Sequence, residues 1–162
     1  MTPEAFRTSI VANLTADGNV VTEVELPSGP ATLGYQAKFR WLWAASNLNL
    51  FTIVAIRPEA TADSLSGLIS ESIQYAKQTK GRLRGLQTGI AVMPILASNT
   101  VAPDAIELVK SRPIKGFAAI AMPAIVDLST GMTHFYEGRL ILGAIYTEWL
   151  RERMRHALTF VR

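Results

Sequence analysis

Three side chains that can carry proton-transfer chemistry lie close together in the sequence: Asp127, His134 and Glu137. A histidine beside a carboxylate can act as a general acid and base, as in a small hydrolase, or can contribute to a metal site. His134 and Glu137 would point to opposite faces of a strand, because side chains alternate along an extended chain. The segment also fits a turn aspartate, a half-exposed strand histidine and a glutamate at the start of a helix. We favour this second interpretation and keep catalysis by His134 with Asp127 or Glu137 as an alternative.

Other catalytic and metal-binding patterns are missing from the sequence. The chain has no cysteine, which excludes disulfides, thiolate catalysis and cysteine-bound metal. The second histidine, His156, is distant in the sequence, and no histidine pair has the i, i+4 spacing of a zinc-protease helix. No acidic cluster suits calcium or two magnesium ions, and no serine stands in a Gly-x-Ser-x-Gly motif. The sequence therefore predicts neither a metal site nor a cofactor.

Basic side chains cluster near the end of a predicted helix, with no acidic residue among them: Lys77, Lys80, Arg82 and Arg84. Cations at the C-terminus of a helix interact favourably with the helix dipole, which explains the cluster without any ligand. The alternative is a binding site for an anion, such as the phosphate backbone of a nucleic acid. The formal net charge of +3 is weak support for such a partner, because the basic residues are spread along the chain.

The segment Gln36-Ala37-Lys38 looks like the rarer Q-x-K variant of the motif in the restriction-endonuclease-like, PD-(D/E)xK family. The predicted order of helix, three strands, helix and strand also resembles the core of that family. In the family, an acid on the preceding strand and this pair hold magnesium, while the lysine aids the attack of water on phosphate. The resemblance implies Glu25 or Glu23 as the acid. The motif lies on the second predicted strand rather than on the third, so the resemblance implies a degenerate relative that contacts nucleic acid.

A second resemblance covers residues 84–146. The pieces RGLQTGIAVMPIL, RPIKGFAAIAMPAIVDL and YEGRLILGAIY are similar to small uncharacterised prokaryotic proteins, chiefly from haloarchaea. This resemblance implies no activity.

One apolar segment, residues 117–126, is predicted to be a strand at the centre of the core. It has no charge and no hydrogen-bonding side chain, which is typical of a strand buried on both faces. Residues 127–131 predict a turn, and residues 132–136 predict a return strand. Met-Pro occurs in this segment and again in the apolar segment 90–97. Because proline cannot donate a ladder hydrogen bond, we expect each Met-Pro at a bulge, a strand end or a sheet edge.

The remaining elements follow from apolar periodicity. Helices are predicted over residues 2–14, 61–80, about 103–110 and 140–159, and strands over residues 20–26, 32–43, 50–56 and 90–97. The first three strands should form an antiparallel meander, and the strand–helix–strand order after residue 90 predicts a parallel pair. The fold class is therefore α+β: a single domain, residues 1–162, with a mixed, largely antiparallel sheet, helices packed on it and the order αβββαβαββα.

Composition indicates a folded protein, since 49% of the 162 residues are hydrophobic and 18% are charged. The N-terminal segment lacks the pattern of a signal peptide, so we expect a cytoplasmic protein that does not enter membranes. Tyr35, Phe39, Trp41 and Trp43 alternate along one strand, and the predicted helices are too few to cover both faces of the sheet. Apolar surface around Trp41 and Trp43, or along the final helix, would then remain exposed. The preferred function is a non-enzymatic binding or interaction module that forms a homodimer.

Overall fold

The computed structural model describes residues 1–40, 46–82, 88–111, 114–116, 119–138 and 144–160. The described elements comprise four helices and eight strands and confirm the α+β class: α1 (Pro3–Ala16), β1 (Val20–Leu26), β2 (Gly29–Arg40), β3 (Ser46–Ile56), α2 (Ala62–Arg82), β4 (Thr88–Ser98), α3 (Pro103–Lys110), β5 (Ile114–Gly116), β6 (Ala119–Ala121), β7 (Ala124–Asp127), β8 (Met132–Phe135) and α4 (Ala144–Ala157).

All eight strands belong to one mixed sheet. Its main path is β1-β2-β3-β4-β6-β5, while β7 also pairs with β4 and carries β8 on its outer side. β3 with β4, β4 with β6 and β4 with β7 are parallel, and the other four pairings are antiparallel. The meander, the parallel crossover and the β7–β8 hairpin were all predicted from the sequence.

The apolar segment predicted as one central strand is divided in the structure. Its described residues form β6 and β7, which lie beside β4 near one side of the sheet, whereas β3 and β4 occupy the middle. The prediction of a single central strand was therefore wrong, because an apolar run reports burial but not strand length or position. Ile125 is fully buried, but Ile120 is only half-buried. Phe117, also expected in the core, lies outside the described residues.

The two Met-Pro dipeptides lie side by side. Val92 pairs with Ala121 and Ile95 pairs with Ala124, so the same register continues across the break at Pro123. Met122 N donates to Val92 O at 2.9 Å, which shows that Val92, and hence Pro94 two residues on, directs its backbone towards the outer strand. Pro94 is therefore tolerated inside a central strand, against our expectation, because its missing N–H faces the interruption between β6 and β7.

Helices cover both faces of the sheet. α1 and α4 pack on one face around Phe6, Leu14 and Leu150, while α2 and α3 pack on the other around Leu65 and Val109. The expectation that one face would lack cover was therefore wrong. The periodicity of the final helix predicts that Glu148, Arg151, Glu152 and Arg155 face water, and for Arg151 this prediction is wrong. Arg151 is buried because its guanidinium donates to two backbone carbonyl oxygens.

Little apolar surface remains on the described part of the chain. Only Met1, Val20 and Met132 are exposed large hydrophobic residues there, and Trp149 of the final helix is buried. From Thr147 onwards, the final helix therefore exposes no large hydrophobic residue that could form the expected contact surface. Trp41 and Trp43 lie outside the described residues, so dimerisation through them stays a prediction. No helix within the described ranges combines the length and apolar character that a transmembrane segment requires.

Candidate functional site

Asp127 and His134 share one face of the β7–β8 hairpin without touching. His134 lies opposite Ile125, and Asp127 lies opposite Met132, so the two are diagonal neighbours. Such diagonal residues are typically about 7–8 Å apart. Asp127 Oδ1 accepts hydrogen bonds from Ser129 N, from Ser129 Oγ and from Thr130 N. No hydrogen bond joins the described side chains of Asp127 and His134, so the aspartate acts as a turn residue rather than as the orienting partner of a catalytic histidine.

The two groups have lowered pKa values for different reasons. The hydroxyl of Ser129 lowers the pKa of Asp127, with further lowering by Thr130 and by backbone hydrogen bonds, against a rise from burial. Burial lowers the pKa of His134, and the positive charge of Lys110 lowers it further, while Asp127 acts in the opposite direction. The folded protein therefore favours a neutral His134 beside an ionised Asp127.

This arrangement predicts a pH-dependent stability. A histidine with a lowered folded-state pKa contributes its full stability above the unfolded value of about 6.5, and loses it as pH falls through the folded-state pKa. We expect the parent to lose stability from about pH 6.5 downwards more steeply than His134→Asn does. Urea unfolding at a series of pH values measures both slopes. Identical slopes would contradict a lowered pKa at His134.

Glu137 is not brought into the same group. Its side chain is exposed, its carboxylate lies 4.0 Å from Arg155 Nη2, and its backbone oxygen accepts from Arg151 Nη1 at 2.7 Å. It therefore belongs to the contact between the chain after β8 and α4. Of the three residues considered for catalysis, the structure places two on one face and the third with another element.

The residues suggested by the endonuclease-like motif are also separated. Glu25 pairs with Pro30 of β2, six residues from Gln36, which corresponds to roughly 20 Å along the strand. Glu23 accepts a hydrogen bond from Thr32. Gln36 is buried, and its Nε2 donates to Asp17 O at 2.6 Å. Lys38 lies in β2 opposite Leu48, with its side chain outside the described set. The acids and Gln36 therefore do not form one metal site.

A polar cluster that the sequence did not reveal lies between α1 and α4. Asp17 Oδ1 accepts from Arg153 Nη1 at 2.8 Å and lies 3.3 Å from His156 Nδ1. Asn19 Oδ1, Gln36 Oε1 and Arg153 Nε are buried there without a hydrogen-bond partner. Asp17 and Arg153 are 136 residues apart, and no motif spacing connects them. We call these five residues the Asp17 cluster.

Three elements that carry basic residues reach the end of the sheet where the parallel strands β3, β4 and β6 begin. β2 is antiparallel to β3 and ends there, α2 returns there before β4, and β5 ends there beside β6. The described elements carry six basic residues near this end, which we call the basic end: Lys38, Arg40, Lys77, Lys80, Arg82 and Lys115. Lys77 is exposed, whereas the other five side chains lie outside the described set, as does all of Arg84.

Acidic residues concentrate at the opposite end of the sheet. They stand at the end of β1, just after β3, in the first turns of three helices and at the end of β7: Glu25, Glu59, Glu4, Asp63, Asp104 and Asp127. The halves of β2, β3, β4 and α2 that reach the basic end contain no acidic residue. The chain is therefore electrically polarised along the strand direction, although its net charge is only +3.

The helix dipole explains only part of this polarity. Cations in the last turns of α2 complement its C-terminus. The same argument does not apply to Lys38, Arg40 and Lys115, which lie on strands. Asp17, Glu137, Glu148 and Glu152 each form a salt bridge with a side chain of α4. The helix dipole therefore accounts for the cations of α2 and leaves those of β2 and β5 without a structural explanation.

Metal binding has no comparable support, because the described residues contain no group of three or more His, Asp or Glu side chains that could hold an ion. In comparisons with known proteins, no protein-family model matches the chain, and neither a curated protein nor a solved structure is significantly similar to it.

Proposed function

We propose that this chain is a nucleic-acid-binding module that contacts phosphates through its basic end. The observation that carries the proposal is the convergence of six cations from β2, α2 and β5, without an acid among them, at one end of the sheet. Cations grouped at one end of a protein can neutralise the phosphates of a nucleic acid and gain free energy from the release of counterions.

Aromatic residues favour nucleic acid over other polyanions. The sequence alternates basic and aromatic side chains where β2 reaches the basic end: Lys38, Phe39, Arg40 and Trp41, with Trp43 following. Side chains alternate along a strand, so these rings and the cations of the same strand would face opposite sides. Aromatic rings can stack on bases while cations from another element, such as those of α2, meet the phosphates, which is the usual chemistry of single-strand binding. An anionic membrane surface is the competing partner, and the experiment below includes it.

Binding without cleavage is the form of this proposal. Asp127 and His134 are not hydrogen-bonded, and Glu25 lies far along the strands from Gln36. Neither arrangement holds a water molecule against a phosphate. The proposed function is therefore recognition of nucleic acid without cleavage.

The test is fluorescence anisotropy of labelled single-stranded and duplex oligonucleotides over a salt series. If all six cations meet phosphates, the slope of log K against log salt should be about −4 to −5. Replacing Lys77, Lys80 and Arg82 with glutamine should make the slope shallower by about 2–3. A matched triple variant, Arg7→Gln, Lys110→Gln and Arg155→Gln, removes the same charge at exposed positions elsewhere and should keep the parent slope.

Three outcomes would overturn the proposal. The first is no binding to either oligonucleotide at low salt. The second is an equal loss in the two triple variants, which would show that only net charge matters. The third is binding to vesicles with anionic lipids but not to either oligonucleotide.

A further inference from the structure

A cleft of about 390 Å³ opens at the acidic end of the sheet, away from the basic end. Its floor consists of Ala55 and Leu96, which are paired neighbours on β3 and β4. The first turns of α2 form one wall through Gly67 and Leu68. The remaining lining residues form a polar rim: Ser28, Arg57, Pro58, Glu59 and Ser64. The volume and the apolar floor with a few polar groups are typical of a site for a small molecule.

Gly67 is hard to explain by folding alone. A glycine inside a helix is less favourable than alanine by roughly 1 kcal/mol. A Cβ placed on Gly67 would meet no atom within 4 Å, so no close packing requires the glycine. Gly67 is one of the residues that line the cleft, so a large side chain at this position would take up space that the glycine leaves open.

Arg57 is not available to bind an anionic ligand. Its Nη1 donates to Pro30 O and Ile56 O, and its Nη2 donates to Ser28 Oγ and Gly29 O. These four bonds occupy the Nη hydrogens, leaving only Nε–H of the five guanidinium donors. Arg57 therefore fixes the β1–β2 turn against the end of β3.

The polar group of the cleft that is still free to bind a ligand is a hydrogen-bond acceptor. Ser64 is engaged at the start of α2, where it exchanges hydrogen bonds with Thr61. Ser28 Oγ donates to Glu71 Oε2 at 2.6 Å, so a second carboxylate stands behind the rim. The carboxylate of Glu59 is exposed and has no ion pair or hydrogen bond with any residue that the structure describes. Of the two charged side chains that line the cleft, the Arg57 guanidinium is thus held by four hydrogen bonds, while the Glu59 carboxylate is open to a ligand.

We propose that this cleft binds a small organic amine, with its apolar body on Ala55, Leu68 and Leu96 and its ammonium group beside Glu59. An ammonium group supplies hydrogen-bond donors and a positive charge. The carboxylate of Glu59 can accept those hydrogen bonds and pair with that charge. The site is independent of the proposed nucleic-acid interface, because it lies at the other end of the sheet.

The test is an NMR titration of the labelled protein with three probes of similar shape: phenethylamine, 2-phenylethanol and 3-phenylpropionate. We expect saturable shifts at Gly67, Leu68 and Leu96, with affinity falling in that order of probes. Glu59→Gln should weaken phenethylamine binding by roughly fivefold. Glu25→Gln is the matched control, since it removes an exposed carboxylate from β1 and should leave the affinity unchanged.

Two variants of Gly67 separate access from folding. Gly67→Ala should raise the melting temperature by about 2–4 °C, because the glycine serves no packing role. Gly67→Leu should abolish binding by filling the cleft. The proposal is overturned by the absence of saturable shifts at millimolar phenethylamine, by equal or tighter binding of 3-phenylpropionate, or by unchanged binding in Glu59→Gln. Unchanged binding in folded Gly67→Leu would equally place the ligand elsewhere.

Discussion

Alanine in place of Phe51 is expected to lower the free energy of unfolding by about 3–5 kcal/mol. Phe51 lies in the middle of β3, is fully buried, and pairs with Tyr35 of β2 and Val92 of β4. Its ring centroid is 5.1 Å from that of Tyr35. The substitution removes a large apolar side chain and leaves a cavity between the sheet and α2, where neighbouring strands cannot move inwards to fill it.

Thermal unfolding followed by circular dichroism measures this effect, and a decrease of roughly 10 °C in melting temperature is expected for a chain of this size. Val20→Ala is the control, because Val20 is 65% exposed at the start of β1. That change should cost less than about 1 kcal/mol. A Phe51→Ala variant that melts within two degrees of the parent would contradict the central position of β3.

Methionine in place of Arg153 is expected to cost about 3 kcal/mol. The side chains of Arg153 and Asp17 are only 13% and 14% exposed, and their charged atoms are 2.8 Å apart. Methionine preserves the apolar stem but removes the charge, so the Asp17 carboxylate stays largely buried without its closest cation. The loss of stability comes mainly from the uncompensated charge of Asp17. In the parent, the Asp17–Arg153 pair attaches α4 to the end of α1.

Arg155→Met is a matched control on the same helix. Arg155 is 52% exposed and lies 4.0 Å from Glu137, so its removal should cost less than about 1 kcal/mol. Urea unfolding of both variants, together with Asp17→Asn and the Asp17→Asn/Arg153→Met double variant, completes the measurement. The double variant should lose less stability than the sum of the two single variants. Strict additivity would be inconsistent with a direct interaction between Asp17 and Arg153.

The elements that the sequence predicted are those whose pattern is local. Phe6, Ile10 and Leu14 recur at helical spacing, and all three are buried on one side of α1. The turn after Asp127 was likewise readable, since Gly131 adopts a positive φ of 74° that glycine accepts readily. These features depend on residues that are close together in the sequence, so they can be predicted from a single sequence.

The distribution of the helices over the two faces of the sheet was predicted wrongly, although the rule of right-handed crossovers predicts it correctly. β3, β4 and β6 follow one another across the sheet, so two right-handed crossovers place α2 and α3 on the same face. The other face is then left to α1 and α4. The number of helices alone predicts an uncovered face, whereas the direction of each crossover predicts two covered faces.

Only part of the candidate interface could be predicted from the sequence. Lys77, Lys80, Arg82 and Arg84 form a local run that composition reveals. Lys115 joins them only because β5 ends beside the start of β6, which is a property of strand pairing. The Asp17 cluster was invisible for the same reason, since its ion pair connects residues 136 positions apart. Long-range pairing of this kind leaves no periodic signal.

The aligned Met-Pro dipeptides affect which strands of the sheet can unfold locally. Between β6 and β7 the bond from Met122 N to Val92 O is followed by Pro94, which has no N–H to donate back. The outer part of the sheet thus consists of two hairpins, β5–β6 and β7–β8, that share β4 but few hydrogen bonds with each other. Local unfolding proceeds in units of this kind, so amide exchange in β5 and β6 should be faster than in β7. The hairpin that carries Lys115 can therefore loosen and re-form without disturbing the strand that leads to the β7–β8 turn.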